Sequence, residues 1–246
     1  MNLVPVKTFR PTANKLFYFY QDGRRLLLKS YVGKRAQERY EQERYLLGKW
    51  ARHNFPAPSF YDIDIEGAAK PFLVIDYIAG VSLREYLVSS DNPVEKKITR
   101  LEEIFSSNRN RHSLAFREND PDLVLFDANT GNIIIADSGH FHIDFEAPAK
   151  KGNLVNLISK EIAKFCRWAC RDMGRDNMPI IIKKLTDVYA DSPEFLKRIV
   201  ELTNNSPLQF VHRLRDKRKK RKNPLEVTKY DIADAVKKEL QLRHAG

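Results

Sequence analysis

The sequence contains few cysteines and no long apolar run, and both absences exclude classes of protein. Cys166 and Cys170 are its only two cysteines, so a disulfide-stabilised secreted domain is excluded. Their i, i+4 spacing places them on one helix face, where two thiols do not normally bridge, and no nearby His completes a zinc site. No run approaches the roughly 20 apolar residues of a membrane span, and the start MNLVPVKTFRPT lacks the apolar core of a signal peptide. We therefore expect a cytoplasmic protein with two buried free thiols.

Positive charge is concentrated in one tract near the C-terminal end. The chain of 246 residues has a net charge of +11. Residues 213–222 contain eight Lys or Arg and one Asp, so this tract carries +7 and the remainder +4. Such a tract favours phosphates, nucleic acid or an anionic membrane surface, although a solvated helix end explains it equally well. The hydrophobic content of 42% is that of a globular chain, long enough for one large domain or two small lobes.

The stretch DANTGNIIIADSGHFHIDFE, residues 127–146, combines oxygen-bearing side chains with a hairpin. Two short apolar runs flank a predicted three-residue loop at 137–139 that contains a glycine. Counting outward from that loop pairs Asn132 with Asp144 at about 4.5 to 5.5 Å, and Asp127 lies in the turn just before them. Hard oxygen ligands in this arrangement suit a magnesium ion that bridges phosphates. Each residue alone is equally well explained as a turn former.

A buried ion pair is predicted in the N-terminal part of the chain. Residues 17–20 and 24–31 form a predicted hairpin around an Asp-Gly turn, and Lys29 lies in its apolar second strand. An ammonium there is costly unless it is paired. In the helix predicted over 33–53, Glu43 lies on the face that also carries Ala36, Tyr40, Leu47 and Trp50. We expect Glu43 to pair with Lys29; the alternative is a snorkelling lysine and an unrelated glutamate at a face boundary.

The spacing D-x-x-x-x-N, then a short hairpin, then DF resembles the catalytic loop and metal-binding hairpin of the protein-kinase superfamily. This resemblance implies that Asp127 orients or deprotonates the accepting hydroxyl and that Asn132 and Asp144 hold magnesium. It also implies that Lys29, held by Glu43, steadies the nucleotide phosphates, so that all three of Lys29, Glu43 and Asp127 serve catalysis. ATP and Mg²⁺ are therefore the expected cofactors.

The segment DYIAGVSLREYL, residues 76–87, resembles the hinge and following helix of small kinases. It is predicted to be a short extended link followed by a helix that opens near Ser82. In that family, backbone groups of the link bind adenine. By position, the resemblance implies that Asp76 and Ile78 make these contacts and that Ile75 lies at the back of the pocket.

Several departures from the protein-kinase pattern narrow the resemblance. No Gly-rich loop lies between the first strands, and we expect the loop RPTANKL, with polar groups on Thr12 and Asn14, to cover the phosphates instead. Leu125 replaces the usual His two residues before the catalytic Asp, and Glu146 replaces the glycine of the family's DFG. Only eight residues separate Asp144 from the next predicted helix. That is too short for the activation segment on which regulated protein kinases bind a peptide.

Over residues 12–170 this pattern resembles the lipopolysaccharide (Kdo and core heptose) kinase family. It is less closely similar to the small kinase of the KEOPS complex and to aminoglycoside phosphotransferases. The resemblance implies an α+β, two-lobed, protein-kinase-like fold. Its expected parts are an N-terminal lobe over 1–78 with a five-stranded sheet and one helix, a catalytic and helical lobe over 79–222, and a C-terminal helix over 223–246.

The remaining elements are predicted from periodicity and turn residues. Further strands are predicted over 3–9, 60–65 and 71–75, and 109–122 is predicted to be irregular. Further helices are predicted over 95–108, 153–173, 179–189, 193–202, 208–215 and 227–243.

Three functions follow from these features. The first is an ATP- and Mg²⁺-dependent kinase that phosphorylates a hydroxyl of a sugar or lipopolysaccharide-core glycan, with residues 213–222 resting on the anionic inner face of a membrane. The second is a Ser/Thr protein kinase or a KEOPS-like kinase or ATPase, in which the basic tract binds RNA or a protein. The third is a pseudokinase that binds nucleotide without turnover, which the replacements at Leu125 and Glu146 favour.

Overall fold

The computed structural model describes residues 3–5, 14–147, 151–204, 209–223 and 226–245. The chain divides into two compact units. The first comprises residues 1–81 and 134–148, and the second comprises 82–133 and 149–246. The predicted division at residue 78 assigned the whole hairpin after Asn132 to the helical lobe, whereas its contacts place it with the first unit.

The first unit contains a five-stranded antiparallel sheet in the order β1-β2-β3-β5-β4. Its strands are β1 (Val4–Pro5), β2 (Asn14–Gln21), β3 (Arg24–Tyr31), β4 (Phe60–Tyr61) and β5 (Phe72–Asp76). The central strand β3 is buried along most of its length because β2 and β5 flank it on both sides. Of the predicted strand 3–9, residues 6–9 lie outside the described part of the chain. The strand predicted over 60–65 is shorter than expected, since only its first two residues are in β4.

The turn between β2 and β3 has the geometry that its sequence predicts. Asp22 has φ 50° and Gly23 has φ 75°, and positive φ at both central residues defines a primed turn that matches the twist of the flanking strands. The turn sets a register in which Gln21 faces Arg24 and Leu16 faces Lys29. Lys29 is thereby fixed in the middle of the sheet, where it also faces Leu73 of β5.

Helix α1 (Ala36–Arg52) packs on this sheet through the face that its periodicity predicts. Its buried residues are Glu43, Leu46, Leu47 and Trp50. A separate cluster of apolar side chains forms the core of the sheet: Phe19, Leu26, Leu28, Ile65 and Val74. Glu43 is the only charged residue among the buried residues of α1, so its carboxylate must find its partners inside the unit.

A three-stranded sheet in the order β6-β7-β8 contains β6 (Val81–Ser82), β7 (Ile133–Ala136) and β8 (Gly139–His142). The predicted loop of three residues is wrong, because the turn contains only Asp137 and Ser138, and Gly139 begins β8. Counting across this turn therefore no longer pairs Asn132 with Asp144, and neither of these residues lies in a strand. The hairpin belongs to the first unit because Phe145 packs on Trp50 of α1, with ring centroids 4.7 Å apart.

The second unit is helical. Its helices are α2 (Leu83–Val88), α3 (Val94–Glu118), α4 (Leu154–Asp172), α5 (Met178–Val188), α6 (Pro193–Asn204), α7 (Gln209–Lys222) and α8 (Lys229–Ala245). The helix predicted to open near Ser82 does so with a capping box formed by Ser82 and Glu85. Helix α4 is central, since it packs against α3, α5, α6 and α8. Cys166 and Cys170 are buried on α4 as free thiols.

Two helices are longer than their sequence predicts. Helix α3 continues to Glu118, so the irregular segment predicted over 109–122 is wrong for most of its length. Its polar residues Arg111 and His112 are buried, and a partner on α4 compensates them. Helix α7 continues through the basic tract to Lys222, beyond its predicted end at 215.

The α+β fold class predicted from the sequence is confirmed: a small antiparallel sheet unit with one helix precedes a mostly helical unit. No helix in the described part of the chain combines the length and apolarity needed to cross a bilayer.

Candidate active site

The predicted catalytic, phosphate-binding and metal-binding residues lie in two groups, one in each unit. The first group is named here the Lys29 cluster and comprises Asn14, Lys29, Arg39, Glu43, Asp144 and Glu146. The second is named the Asp127 cluster and comprises Asp127, Asn129, Asn132 and Lys164. Each cluster is held together by contacts within its own unit.

The centre of the Lys29 cluster is the ion pair between β3 and α1. Lys29 Nζ lies 2.7 Å from Glu43 Oε2, and both side chains are buried. The same Oε2 atom accepts a hydrogen bond of 2.7 Å from the hydroxyl of Tyr31. Burial, followed by the charge of Glu43, raises the pKa of Tyr31, so this hydroxyl stays protonated and keeps donating. Glu43 is therefore held in place by two residues of β3, Lys29 and Tyr31.

Asp144 reaches Lys29 through an unusual backbone conformation. Its φ of 66° lies in the left-handed region, which is uncommon for a residue other than glycine. This conformation turns Phe145 into the core beside Trp50 and leaves Asp144 Oδ1 3.2 Å from Lys29 Nζ. Backbone strain of this kind is concentrated at functional sites. The structure thus brings Lys29, Glu43 and Asp144 together.

Glu146 adds a third carboxylate that the sequence analysis missed. Its Oε1 lies 2.6 Å from Lys29 Nζ, and its Oε2 accepts a 3.0 Å hydrogen bond from Arg39 Nη1. Asn14 also donates its amide N–H to Glu146. Asn14 was predicted in a loop, but it is the buried first residue of β2, and Thr12 lies outside the described residues. Arg39, which the sequence analysis also missed, lies one helical turn before Glu43 on α1.

The charges of the Lys29 cluster nearly balance. Glu43, Asp144 and Glu146 each place an oxygen within 4.8 Å of the others. Burial opposes the charge on Lys29, but Glu43, Asp144 and Glu146 outweigh it and raise the pKa of this ammonium. Burial likewise opposes ionisation of Glu146, but Lys29 and Arg39 outweigh it and lower the pKa of this carboxyl. At Asp144, by contrast, burial outweighs the charge of Lys29 and raises the pKa of this carboxyl. Two cationic and three acidic side chains therefore meet in this cluster.

The Asp127 cluster is more exposed. Asp127 Oδ1 lies 2.7 Å from Lys164 Nζ, and Oδ2 accepts a 3.1 Å hydrogen bond from the amide of Asn132. Asn132 and Asn129 also donate to the backbone carbonyl of Asp127. Burial opposes ionisation of Asp127, but the hydrogen bonds and charge of Lys164 outweigh it and lower its pKa. The sequence analysis missed Lys164, which lies on α4.

A buried ion pair beneath the Asp127 cluster anchors the loop that carries it. Glu161 of α4 pairs with Arg111, its Oε2 lies 3.1 Å from His112 Nε2, and it accepts a 2.7 Å hydrogen bond from the backbone N–H of Leu125. Burial opposes ionisation of Glu161, but Arg111 outweighs it and lowers its pKa from 4.5 to about 2. Burial also lowers the pKa of His112. Leu125, two residues before Asp127, is thus held in place through its backbone N–H.

The predicted adenine-contacting link follows β5. Ile75 is buried, and the backbone N–H of Asp76 donates to the carbonyl of Ser59 at 3.0 Å. The carboxylate of Asp76 accepts hydrogen bonds from the Ser59 N–H and the Tyr61 hydroxyl. The N–H and the carboxylate of Asp76 thus already have partners, so its backbone carbonyl is the group that could contact adenine. Ile78 lies two residues beyond the end of β5.

The predicted metal ligands suit magnesium by their chemistry. Asp144 offers carboxylate oxygens, and the amide nitrogen of Asn132 is fixed by Asp127, so that its oxygen is the atom left to act as a ligand. Hard oxygen donors of this kind are those that Mg²⁺ prefers. Each residue lies in a different unit, and each is oriented by contacts within its own unit.

Comparisons with known proteins were made by sequence and by structure. No family model matches the chain, and no curated protein matches it. Among solved structures, the chain is similar to the apo form of the GRMZM2G135359 pseudokinase, with 14% sequence identity and a TM-score of 0.47. The match covers 66% of this chain and spans 60% of that protein's chain.

Proposed function

We propose that this chain is an ATP- and Mg²⁺-dependent phosphotransferase that transfers the γ-phosphate to a hydroxyl group. The observation that carries the proposal is the position of Lys29, whose ammonium lies between the buried carboxylate of Glu43 and the strained Asp144. A lysine held in this way is positioned to contact phosphate oxygens. Neither a core ion pair nor a surface salt bridge requires a second carboxylate on a left-handed residue.

In this proposal the first unit binds the nucleotide. Lys29 contacts the phosphates, and Glu43 positions Lys29 with the help of Tyr31. The backbone of Asp76 and Ile78 contacts adenine, and Ile75 supplies the apolar wall. Asn14 offers its amide to the phosphates from the start of β2.

Asn132 and Asp144 are the proposed magnesium ligands. Magnesium, when bound, neutralises charge on the phosphates during transfer. The hydrogen bond from the Asn132 amide nitrogen to Asp127 sets which way the amide oxygen faces. Asp144 is held by the Lys29 ammonium on one side and by its strained backbone.

Asp127 is the proposed residue that accepts the proton or hydrogen bond of the acceptor hydroxyl. Its lowered pKa keeps it ionised at neutral pH, so it orients the hydroxyl through a charge-assisted hydrogen bond. Lys164, on the other carboxylate oxygen, places a positive charge beside the reacting groups. The carboxylate thus accepts the hydrogen bond of the hydroxyl, and the ammonium on α4 is placed to stabilise negative charge on the transferred phosphate.

We propose a sugar or lipopolysaccharide-core glycan as the acceptor. Only eight residues separate Asp144 from Asn153, the N-cap of α4. Such a short connection favours a small acceptor over a bound peptide. A Ser/Thr protein kinase or a KEOPS-like kinase or ATPase is the alternative with the same chemistry.

A pseudokinase is the second candidate function, and Glu146 favours it. The carboxylate of Glu146 contacts the Lys29 ammonium at 2.6 Å, where nucleotide phosphates are proposed to bind. If this contact cannot be displaced, the chain binds no nucleotide phosphate through Lys29. Transfer activity is therefore the measurement that separates the two functions.

The test is a γ-phosphate transfer assay against a panel of sugars, lipid-linked glycans and proteins. We expect transfer to a sugar or glycan, lost in Asp127→Ala and retained in Asp137→Ala, whose exposed carboxylate lies in a hairpin turn outside both clusters. Binding of Mg²⁺-ATP without transfer to any acceptor or to water supports the pseudokinase. Full transfer by Asp127→Ala contradicts the role assigned to Asp127.

A further inference from the structure

We propose that Asn14, Lys29 and Arg39 form a binding site for one phosphate group and that the carboxylate of Glu146 fills it as an internal competitor. The inference rests on the proposed function for the identity of the ligand, a nucleotide phosphate. It adds Arg39 as a phosphate contact and assigns Glu146 an inhibitory role. We name these three donors the anion cradle.

The geometry of the anion cradle is that of a site for a single oxyanion. The three donors come from three elements: Asn14 begins β2, Lys29 lies in β3 and Arg39 lies in the first turns of α1. Lys29 and Asn14 both contact Oε1 of Glu146, and Arg39 donates to Oε2 at 3.0 Å. Both oxygens of one carboxylate are therefore bound by protein donors.

The chemistry of these donors suits phosphate as well as carboxylate. Arginine and lysine are the side chains that most often bind phosphate oxygens, and charge-assisted hydrogen bonds of this kind are strong. Arg39 also donates to the backbone carbonyl of Val32, which fixes its guanidinium. Two fixed cations and an amide that converge on one anion need no rearrangement when another anion replaces it.

The carboxylates of Glu43 and Glu146 both contact Lys29 but differ in how they are held. Glu43 is 1% exposed and is bonded to Tyr31 as well as Lys29. Glu146 has a side chain that is 16% exposed, and it lies outside regular secondary structure, after β8. Glu43 is therefore the permanent structural partner of Lys29, and Glu146 is the partner that a ligand can displace.

Competition by Glu146 lowers the affinity for nucleotide. The cradle binds phosphate only in the fraction of molecules in which Glu146 has left it, and the observed dissociation constant rises by the inverse of that fraction. Both carboxylate oxygens of Glu146 contact donors of the cradle, so this side chain occupies the positions that the oxygens of a bound phosphate would take. Removing its charge should release the cradle.

The test compares Glu146→Gln and Arg39→Gln with the full-length wild type. Calorimetry is performed with Mg²⁺-ATP, with ATP in EDTA, and with inorganic tripolyphosphate. We expect Glu146→Gln to bind tripolyphosphate and ATP about tenfold more tightly, since it loses one charged competitor, and Arg39→Gln to bind both more weakly. Glu38→Gln is the matched control, because Glu38 is an exposed α1 glutamate that pairs only with Arg35 among the contacts seen.

The outcomes separate this inference from the proposed function. Tighter binding of tripolyphosphate by Glu146→Gln supports the cradle even if no variant transfers phosphate. Nucleotide binding by the wild type that Glu146→Gln does not strengthen overturns the cradle and leaves the proposed function standing. Weaker Mg²⁺-ATP binding by Glu146→Gln with unchanged binding in EDTA also overturns it, because Glu146 is then a metal ligand. Glu146→Ala, checked by thermal melting, repeats the test with a second side chain.

A different observation, on α7, carries a second inference. The exposed side chains that the structure describes on this helix lie along one face: Phe210, Val211, Leu214 and Arg215 in its first half and Arg218 and Arg221 in its second half. The apolar three are between 44 and 74% exposed. Large apolar side chains exposed together on one helix face mark an interaction surface.

Helix α7 is attached to α8 on its other side. Arg213 forms a bidentate ion pair with Asp234, with both distances 3.1 Å, and lies over the ring of Tyr230 at 4.6 Å. These contacts involve the opposite side of α7 from the exposed face. The exposed face is therefore presented outward from a docked helix.

We propose that this face of α7 binds an anionic membrane surface. Apolar side chains next to a basic tract are the two features that hold a helix in the interface of an anionic bilayer. An RNA backbone attracts the arginines equally well but offers no partner for exposed Val211 and Leu214. The combination therefore favours lipid over nucleic acid.

The test is cosedimentation of the full chain with vesicles of phosphatidylcholine alone or with phosphatidylserine. We expect binding only to the anionic vesicles, reduced about tenfold or more by Phe210→Ser with Leu214→Ser, since these two apolar side chains would no longer be buried in the bilayer interface. Val88→Ser, which removes an exposed valine of α2, is the control. Vesicle binding that the double variant retains, or binding to single-stranded RNA without binding to vesicles, overturns the proposal.

Discussion

The Lys29 cluster and the Asp127 cluster both hold charged side chains in fixed positions, but they differ in burial. Lys29 and Glu43 are almost completely buried, whereas the side chain of Asp127 is 50% exposed. A buried charge must be paired for the unit to fold, while an exposed carboxylate contributes little to stability. The Lys29 cluster is therefore needed for stability as well as for the proposed function, whereas Asp127 can be replaced with little loss of stability.

The largest expected effect is on activity, in the exposed cluster. Asp127→Ala should lower phosphate transfer about 10² to 10⁴-fold, as expected for the loss of a general base. Its free energy of unfolding should change by less than about 0.5 kcal/mol, because the ion pair with Lys164 is half exposed. Initial rates and urea denaturation measure the two quantities. A large loss of stability would contradict the proposed difference between the clusters.

In the Lys29 cluster we expect the largest effect on stability. Glu43→Ala leaves a buried ammonium and the Tyr31 hydroxyl without their shared partner and should lower the free energy of unfolding by about 3 kcal/mol. Glu41→Ala, two residues earlier on the exposed side of α1, is the matched control and should change it by less than about 0.5 kcal/mol. Equal urea midpoints for the two variants would show that Asp144 and Glu146 fully compensate the loss of Glu43.

The anchor beneath the Asp127 cluster predicts a dependence on pH. The pKa values of Glu161 and His112 are both lower in the folded chain, so the folded state binds fewer protons and stability falls as pH falls. His112 contributes below about its ordinary pKa of 6.5, and Glu161 contributes between 4.5 and about 2. Melting temperatures from pH 8 to 4 should fall, and His112→Gln should flatten the part between pH 6.5 and 5. An unchanged slope in that variant would assign the loss to other groups.

The smallest expected effect comes from Lys164→Met. This change removes the positive charge that lowers the pKa of Asp127, so the acid limb of the pH–rate profile should move to higher pH. The maximal rate should fall about tenfold if the ammonium stabilises transferred charge. Lys160→Met, an exposed change one turn earlier on α4, is the control. A profile that does not move would show that Lys164 does not act on Asp127.

Sequence periodicity could predict one ion pair because each member breaks a simple local pattern. Lys29 interrupts an apolar strand and Glu43 lies on an apolar helix face, and the structure joins them at 2.7 Å. Glu146, Arg39 and Lys164 break no such pattern. Their contacts depend on how separate segments fold together, which a single sequence does not reveal.

The same limit explains the error in α3. Its second half contains Arg111 and His112, which suggest a solvent-exposed or irregular segment when considered alone. Their partner Glu161 is 50 residues away from Arg111 in the chain, and the three form a buried group only in the folded unit. The length of the hairpin turn was predicted wrongly for a different reason. A glycine such as Gly139 suits both a loop and the first position of a strand, so the sequence does not decide between them.

The hydrogen bond from the backbone N–H of Leu125 to Glu161 has a consequence for the substitutions that this loop tolerates. Since every residue except proline carries that N–H, the attachment places almost no demand on which amino acid occupies position 125. Substitutions at position 125 other than proline should therefore leave the attachment of this loop intact, whereas a change at Glu161 removes it.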